Sequence, residues 1–235
     1  MSTSDVASAT PPDRLIVRGG STLEGTIRIG GAKNSVLKLM AATLLAAGDY
    51  RLHNVPRITD VELMSDLLRA TGCSVSRSDG SLIISVPTEI EPVAPYEIVE
   101  QFRASIVVMG PMLARCGEAR VALPGGDDFG PRPIDMHIRG LTELGAEFDI
   151  EHGYIHARAS NLLGARVLLE FPSVGATENL LMAAVRAKGT TVIDNAAREP
   201  EIADLCELLN KMGAQIVGAG SSTITIEGVD SPDGL

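Results

Sequence analysis

Residues 35–52 read SVLKLMAATLLAAGDYRL. The run is apolar on nearly every helical face, breaks at Gly48, and resumes with strand-like residues. A helix that is hydrophobic all round belongs in an interior. A glycine just beyond it supplies the left-handed residue that ends it. The same passage returns as SIVVMGPMLARCGEARV at 105–121 and NLLMAAVRAKGTTVI at 179–193, so that Gly48, Gly117 and Gly189 stand about 70 residues apart. A second series follows each of these passages: RATGCSV at 69–75, TELGAEF at 142–148 and NKMGAQI at 210–216. Its glycines, Gly72, Gly145 and Gly213, repeat at about the same interval. Two landmarks with one period identify an internal repeat.

The repeated unit reads as strand, helix, strand, helix, strand, strand, with copies at about 32–88, 98–160 and 166–229. The first helix of each copy is apolar all round. The second is amphipathic, as Val61, Met64, Leu67 and Leu68 on one face show for the first copy. That helix opens on Thr59-Asp60-Val61-Glu62, a capping-box pattern. The closing strands flank hairpin signals, Ser78-Asp79-Gly80-Ser81 in the first copy and His152-Gly153 in the second. In the third, residues 218–220 lead into the alternating Thr223-Ile224-Thr225-Ile226. Pro111 is expected to kink the central helix of the second copy. The fold class is therefore α/β: three βαβαββ units with buried central helices and outward sheets.

With 235 residues, 45% of them hydrophobic, the chain can bury a large core; at 3% aromatic and without Trp, that core is aliphatic. The net charge of −10 argues against nucleic acid and against an anionic membrane as partners. Cys73, Cys116 and Cys206 are an odd number, widely spaced and beside apolar residues, and read as core thiols of a reducing compartment. Residues 1–12 are small and polar, without the apolar segment of a signal peptide, and read as a disordered tail. The longest apolar stretch, 36–47, contains Lys38 and is too short to span a bilayer. A cytoplasmic location is expected.

Chemistry-bearing residues collect where chain turns into helix: Gly30-Gly31-Ala32-Lys33-Asn34-Ser35, Gln101-Phe102-Arg103-Ala104-Ser105, residues 124–137 with PGGDDFGPRPIDMH, and residues 172–179 with PSVGATEN. Three of these precede a buried helix. Packed side by side, such helices would aim their unpaired N–H groups at one end of the domain and favour an anion there. Lys33, Arg103 and Arg132 would add charge at that end. Glu199 and Glu201 in AAREPEI read as the start and cap of a helix. Gly153 breaks any helix that would bring His152 and His156 together on a metal. His137 remains a candidate contact.

On GGAKNS (30–35), QFRAS (101–105), LPGGD (123–127) with RPIDMH (132–137), SVGAT (173–177) and NAAREPE (195–201), the chain resembles the UDP-N-acetylglucosamine 1-carboxyvinyltransferases of the enolpyruvyl transferase family, from about Arg14 to about Val229. The resemblance implies an enolpyruvyl-transferase-like lobe, the first of two, with residues 13–31 as strands that pair into the second lobe and 230–235 as a truncated crossing to it. That second lobe is absent from this sequence and would be supplied elsewhere. The implied activity is transfer of the enolpyruvyl group of phosphoenolpyruvate to the 3′-hydroxyl of UDP-N-acetylglucosamine with release of phosphate, without cofactor or metal. Matched motif by motif, Lys33 and Asn34 meet phosphoenolpyruvate. Arg103, Arg132, Pro133, Ile134, Asp135 and Met136 meet the UDP-sugar and the phosphate, and Phe171, Pro172, Ser173 and Val174 the UDP-sugar. Asp127 stands where most members carry a cysteine that is the proposed proton donor, so its carboxyl would have to stay protonated near neutral pH.

Two other readings stay open on the sequence: an enolpyruvyl transferase with another acceptor, and a non-catalytic module that binds a sugar nucleotide or a protein.

Overall fold

The computed structural model describes residues 16–20, 22–123 and 134–229. The chain begins with α1 (Lys33–Ala42), a 3-10 turn (Thr43–Leu45), β1 (Gly48–Leu52), α2 (Thr59–Ala70), β2 (Ser74–Ser78) and β3 (Ser81–Val86). It continues with β4 (Val93–Ala94), α3 (Tyr96–Val99), a 3-10 segment (Arg103–Val108) that runs into α4 (Met109–Cys116), β5 (Glu118–Ala122), α5 (Asp135–Glu143), β6 (Glu147–Glu151) and β7 (Tyr154–Arg158). The last third is β8 (Arg166–Leu168), α6 (Val174–Ala184), β9 (Thr190–Asp194), α7 (Pro200–Lys211), β10 (Gln215–Val217) and β11 (Thr223–Glu227).

Three sheets result, ordered β1-β3-β2, β4-β5-β7-β6 and β8-β9-β11-β10. In the second and third, an opening parallel pair, β4 with β5 or β8 with β9, carries the central helix in its crossover, and the remaining pairs are antiparallel. The sequence expectation of three related units with central helices inside and sheets outside matches this arrangement. The six landmark glycines all have positive φ, between 73 and 145°. Both two-residue hairpin turns, Asp79-Gly80 and His152-Gly153, have φ > 0 at both positions, as a type I′ turn needs.

Among the described residues the first sheet has no counterpart of β4 or β8. The resemblance implies that residues 13–31 are strands paired into a second lobe; their described part joins none of the three sheets here. Ile16, Val17, Leu23, Ile27 and Ile29 are each at least 80% exposed. A strand exists only by hydrogen bonding to an edge, and no edge of the three sheets meets this stretch. The expected tail at 1–12 and crossing at 230–235 lie outside the described residues.

The core is aliphatic. Leu37, Met40 and Leu44 from the first copy, Met109, Met112 and Leu113 from the second, and Leu180, Leu181 and Met182 from the third are buried in one cluster. Val61, Met64, Leu67 and Leu68 present the buried face of α2 to it, all fully inaccessible. Burying each such side chain contributes roughly 1.5–3 kcal/mol. No described helix is long and apolar enough to cross a membrane.

Three local expectations are corrected. The capping box at Thr59 does not form: Ile58 is the N-cap, Thr59 is already helical, and Glu62 reaches outward to Arg77. Pro111 does not kink a long helix; the chain is 3-10 up to Val108 and becomes α-helical at Met109, so the proline falls in a first turn, where a missing N–H is harmless. Cys116 is exposed, because it closes α4 where Gly117 turns the chain outward, whereas Cys73 and Cys206 are core thiols.

Candidate functional site

The central helices are cross-linked at matching levels, which fixes their relative direction. Just past the first turn of α1, Lys38 Nζ lies 3.0 Å from Glu178 Oε1, itself just past the first turn of α6. The neighbouring Asn179 accepts from the Gly110 N–H of α4 at 2.7 Å and donates to the Ile106 carbonyl at 3.0 Å. At the other end, Arg115 of α4 and Arg186, just beyond α6, donate to the Leu44 and Leu45 carbonyls beyond α1, both at 2.9 Å. All three helices therefore run the same way, with their N-terminal heads at one end. Cationic side chains on terminal carbonyls also offset the negative ends of the helix dipoles.

At the head of α1, Gly31 brings the chain in so tightly that a Cβ there would lie 1.8 Å from the Asn54 carbonyl oxygen. The N-cap Ala32 offers no side-chain acceptor to the first turn. Lys33 is half exposed and ion-paired with Asp60 of α2 at 2.7 Å. Asn34 donates to Glu201 of α7 at 3.5 Å, and Ser35 to Asp204 at 2.7 Å. Acidic side chains from two amphipathic helices thus surround this head, so the end of the domain is of mixed charge rather than uniformly positive.

The second head is Arg103, half-buried at the start of its 3-10 segment. Its charge acts on His137 of α5, a ring only 7% exposed. Burial first, and then Arg103, hold the His137 imidazole down at about 4, against a smaller upward pull from Asp135. On its other side His137 faces the head of α6, where a Cβ on Gly175 would meet the ring at 3.1 Å. There Ser173 is a true N-cap: its Oγ accepts from the Ala176 N–H at 3.3 Å.

Of the candidates named from sequence, Lys33 and Asn34 lie together on α1, while Arg103, Asp135, Ser173 and Val174 gather around His137 and the head of α6. Ile134 is half-buried at the N-cap of α5, Met136 is buried in the core, and Phe171 and Pro172 are exposed ahead of α6. Asp127, Arg132 and Pro133 lie outside the described residues. Two adjoining cavities of about 320 and 810 Å³ open at the opposite, tail end, around Cys116, Gly117, Ser160, Asn161 and Lys188. None of the candidate residues lines them.

Sequence reasoning gave no role to Lys38, Glu178 or Asn179. Glu178 is fully inaccessible, and Oε2 finds no hydrogen-bond partner among the described residues. Burial drives its carboxyl up to about 7; Lys38 pulls down, and Glu201 and Glu199 push further up. The signal was present: polar residues inside helices otherwise apolar all round have to satisfy one another.

The model of the EPSP synthase (3-phosphoshikimate 1-carboxyvinyltransferase) family matches residues 17–235. Among curated proteins, the UDP-N-acetylglucosamine 1-carboxyvinyltransferase of Corynebacterium jeikeium is 58% identical over 218 residues, 93% of this chain and 52% of the relative. That of Mycobacterium tuberculosis is 57% identical over 217 residues, 92% of this chain and 52% of the relative. The chain thus spans about half the length of the curated relatives it matches. Among solved structures, the enolpyruvyl transferase NikO from Streptomyces tendae superposes with a TM-score of 0.80 at 22% identity, over 92% of this chain and 51% of that one. EPSP synthase from Acinetobacter baumannii gives 0.68 at 18% identity, over 87% and 47%. At these identities the two structures speak for the fold.

Proposed function

The chain belongs to the EPSP synthase (3-phosphoshikimate 1-carboxyvinyltransferase) family, and on that premise we propose that it carries one half of the site that transfers the enolpyruvyl group of phosphoenolpyruvate to the 3′-hydroxyl of UDP-N-acetylglucosamine, releasing phosphate. The reading is supported chiefly by the common orientation of three helix heads that bear Lys33 and Asn34, Arg103, and Ser173 and Val174. The identity of 58% to a protein named for this acceptor favours UDP-N-acetylglucosamine over other acceptors. The step belongs to peptidoglycan precursor synthesis, with a cytoplasmic location.

In this proposal each head has its own task. Lys33 and Asn34 hold phosphoenolpyruvate, with Asp60 holding the Lys33 ammonium in place at 2.7 Å. Arg103 and Arg132 meet phosphate oxygens, and residues 133–136 together with 171–174 line the UDP-sugar. Asp127 delivers the proton to C3 of phosphoenolpyruvate as the sugar hydroxyl loses its own proton to a base and adds at C2, and the adduct then loses phosphate from C2 and a proton from C3. For that, Asp127 has to be lifted into the neutral range by desolvation and by its neighbour Asp128. The base and the groups that hold the phosphoenolpyruvate carboxylate belong, in this reading, to a complementary lobe that pairs with the exposed residues 16–20 and 22–30.

Phosphate release from phosphoenolpyruvate plus UDP-N-acetylglucosamine, measured on this chain with and without the complementary half of a relative, tests the proposal. Release in the mixture, lost on Lys33→Ala, is expected; clear turnover by the chain alone contradicts the half-site. Release with shikimate 3-phosphate in place of the UDP-sugar contradicts the acceptor.

A further inference from the structure

The amide of Asn179 is one whose orientation can be read without ambiguity. Its Oδ1 accepts from the Gly110 backbone N–H at 2.7 Å, and its Nδ2 donates to the Ile106 carbonyl at 3.0 Å. A backbone N–H only donates and a backbone carbonyl only accepts. Turning the amide over would set donor against donor and acceptor against acceptor, in a site where Asn179 is fully inaccessible. The second Nδ2 hydrogen then points at His137 Nδ1, 2.8 Å away. That nitrogen has to be an acceptor, so the ring proton sits on Nε2.

We propose that Asn179 is a positioning residue that holds His137 in the neutral Nε2–H tautomer, so that the ring offers a hydrogen-bond donor, and no acceptor, beside the head of α6. The Nε2 edge faces Gly175, where a Cβ would stand 3.3 Å away. Ser173 already occupies the N–H groups of Ala176 and Thr177, and among the described residues the N–H groups of Val174 and Gly175 find no acceptor. The head of α6 thus offers two backbone N–H groups, and the imidazole N–H lies beside its Gly175. The chemistry they fit is an oxygen of a substrate phosphate or carboxylate.

Burial and the facing Arg103 guanidinium keep the ring from gaining a second proton until about pH 4, against the weaker pull of Asp135 on its own helix. A neutral donor suits a site already bordered by cations and acids, because it recognises an oxygen without adding charge. It also bars His137 from acting as a base in this state, since its acceptor nitrogen is committed to Asn179. The functional consequence rests on the enolpyruvyl-transfer reading; the tautomer does not.

The test is histidine-15N NMR of the full chain, whose four histidines are separated by assigning His137 from the signal lost in His137→Gln. The expected result is a protonated Nε2 and an unprotonated Nδ1 that stay unchanged from pH 8 down to about pH 5.5, with a midpoint at about 4. A protonated Nδ1, or a titration midpoint near the ordinary histidine value, overturns the proposal. In Asn179→Asp the carboxylate has only acceptors for the ring. Protonation at Nδ1 and a midpoint raised by about one to three pH units are expected there. Asn179→Leu should give a mixture of tautomers. A wild-type tautomer retained in both variants overturns the role of Asn179, and the wild-type spectrum decides the tautomer even where a variant does not fold. Absence of phosphate release in the activity assay leaves these spectra as they are, so the two readings fail separately.

Discussion

Replacing Glu178 with glutamine should change how the stability of the chain depends on pH. The carboxyl is fully inaccessible, and its proton affinity is raised to about 7 from an ordinary 4.5. Between those values the folded chain holds a proton that the unfolded chain has released. Stability therefore falls as pH rises through this window. The slope approaches 1.4 kcal/mol per pH unit, and the loss levels off above pH 7 at about 3 kcal/mol. Lys38, whose side chain is only 11% exposed, limits the loss but does not remove it. Glutamine keeps the shape and cannot titrate. Toward Lys38 it stands as the protonated carboxyl does.

The measurable quantity is the difference between wild type and Glu178→Gln in urea-unfolding free energy, followed from pH 4.5 to 8. The stability of Glu178→Gln relative to wild type should rise by about 3 kcal/mol between pH 4.5 and pH 8. His137 works in the opposite sense: its depressed proton affinity makes the folded chain less stable as pH falls below 6.5. It is present in both proteins and cancels in the difference. Parallel pH profiles for the two proteins would refute the assignment of a raised, buried Glu178.

Three further outcomes follow from the packing. Gly110→Ala should lower stability by about 1–3 kcal/mol in the same urea assay, because its Cβ would stand 2.4 Å from the Asn179 backbone oxygen in the tight approach of α4 to α6. Ile27→Asp and Ile29→Asp should leave stability within about 0.5 kcal/mol of wild type, since both side chains are more than 80% exposed, yet should weaken phosphate release in the mixture with a complementary half. A thiol reagent should modify one cysteine of the native chain, Cys116, and all three only after denaturation; early labelling of Cys73 or Cys206 would contradict their burial.

Much of this architecture could be read from residues alone, because its signals are local. The paired glycine series reports backbone positions that need positive φ, and each of those positions has it. The hairpin turns are legible for the same reason. What could not be read depends on partners distant in sequence. Thr59-Asp60-Val61-Glu62 matches a capping box in isolation, but the packing of Ile58 and the pull of Arg77 on Glu62 decide otherwise. The strands that the resemblance implies at 13–31 would pair with a second lobe, and a strand is a relation rather than a property of one segment. The acids around Lys33 come from α2 and α7, far along the chain, so a list of cationic motifs suggested a more positive head than the fold builds. The hub at Asn179 joins segments about 70 residues apart, the length of one repeat, and no local pattern announces it.

The two arginine tethers at the tail end have an evolutionary consequence. Arg115 and Arg186 fasten the helices by grasping main-chain carbonyls, which every sequence possesses, and they do so far from the heads. Anchorage is thus placed at the pole opposite the heads of the same three rods. Residues at the heads can therefore change without loosening these tethers, since the carbonyls they hold are supplied by the main chain whatever the side chain.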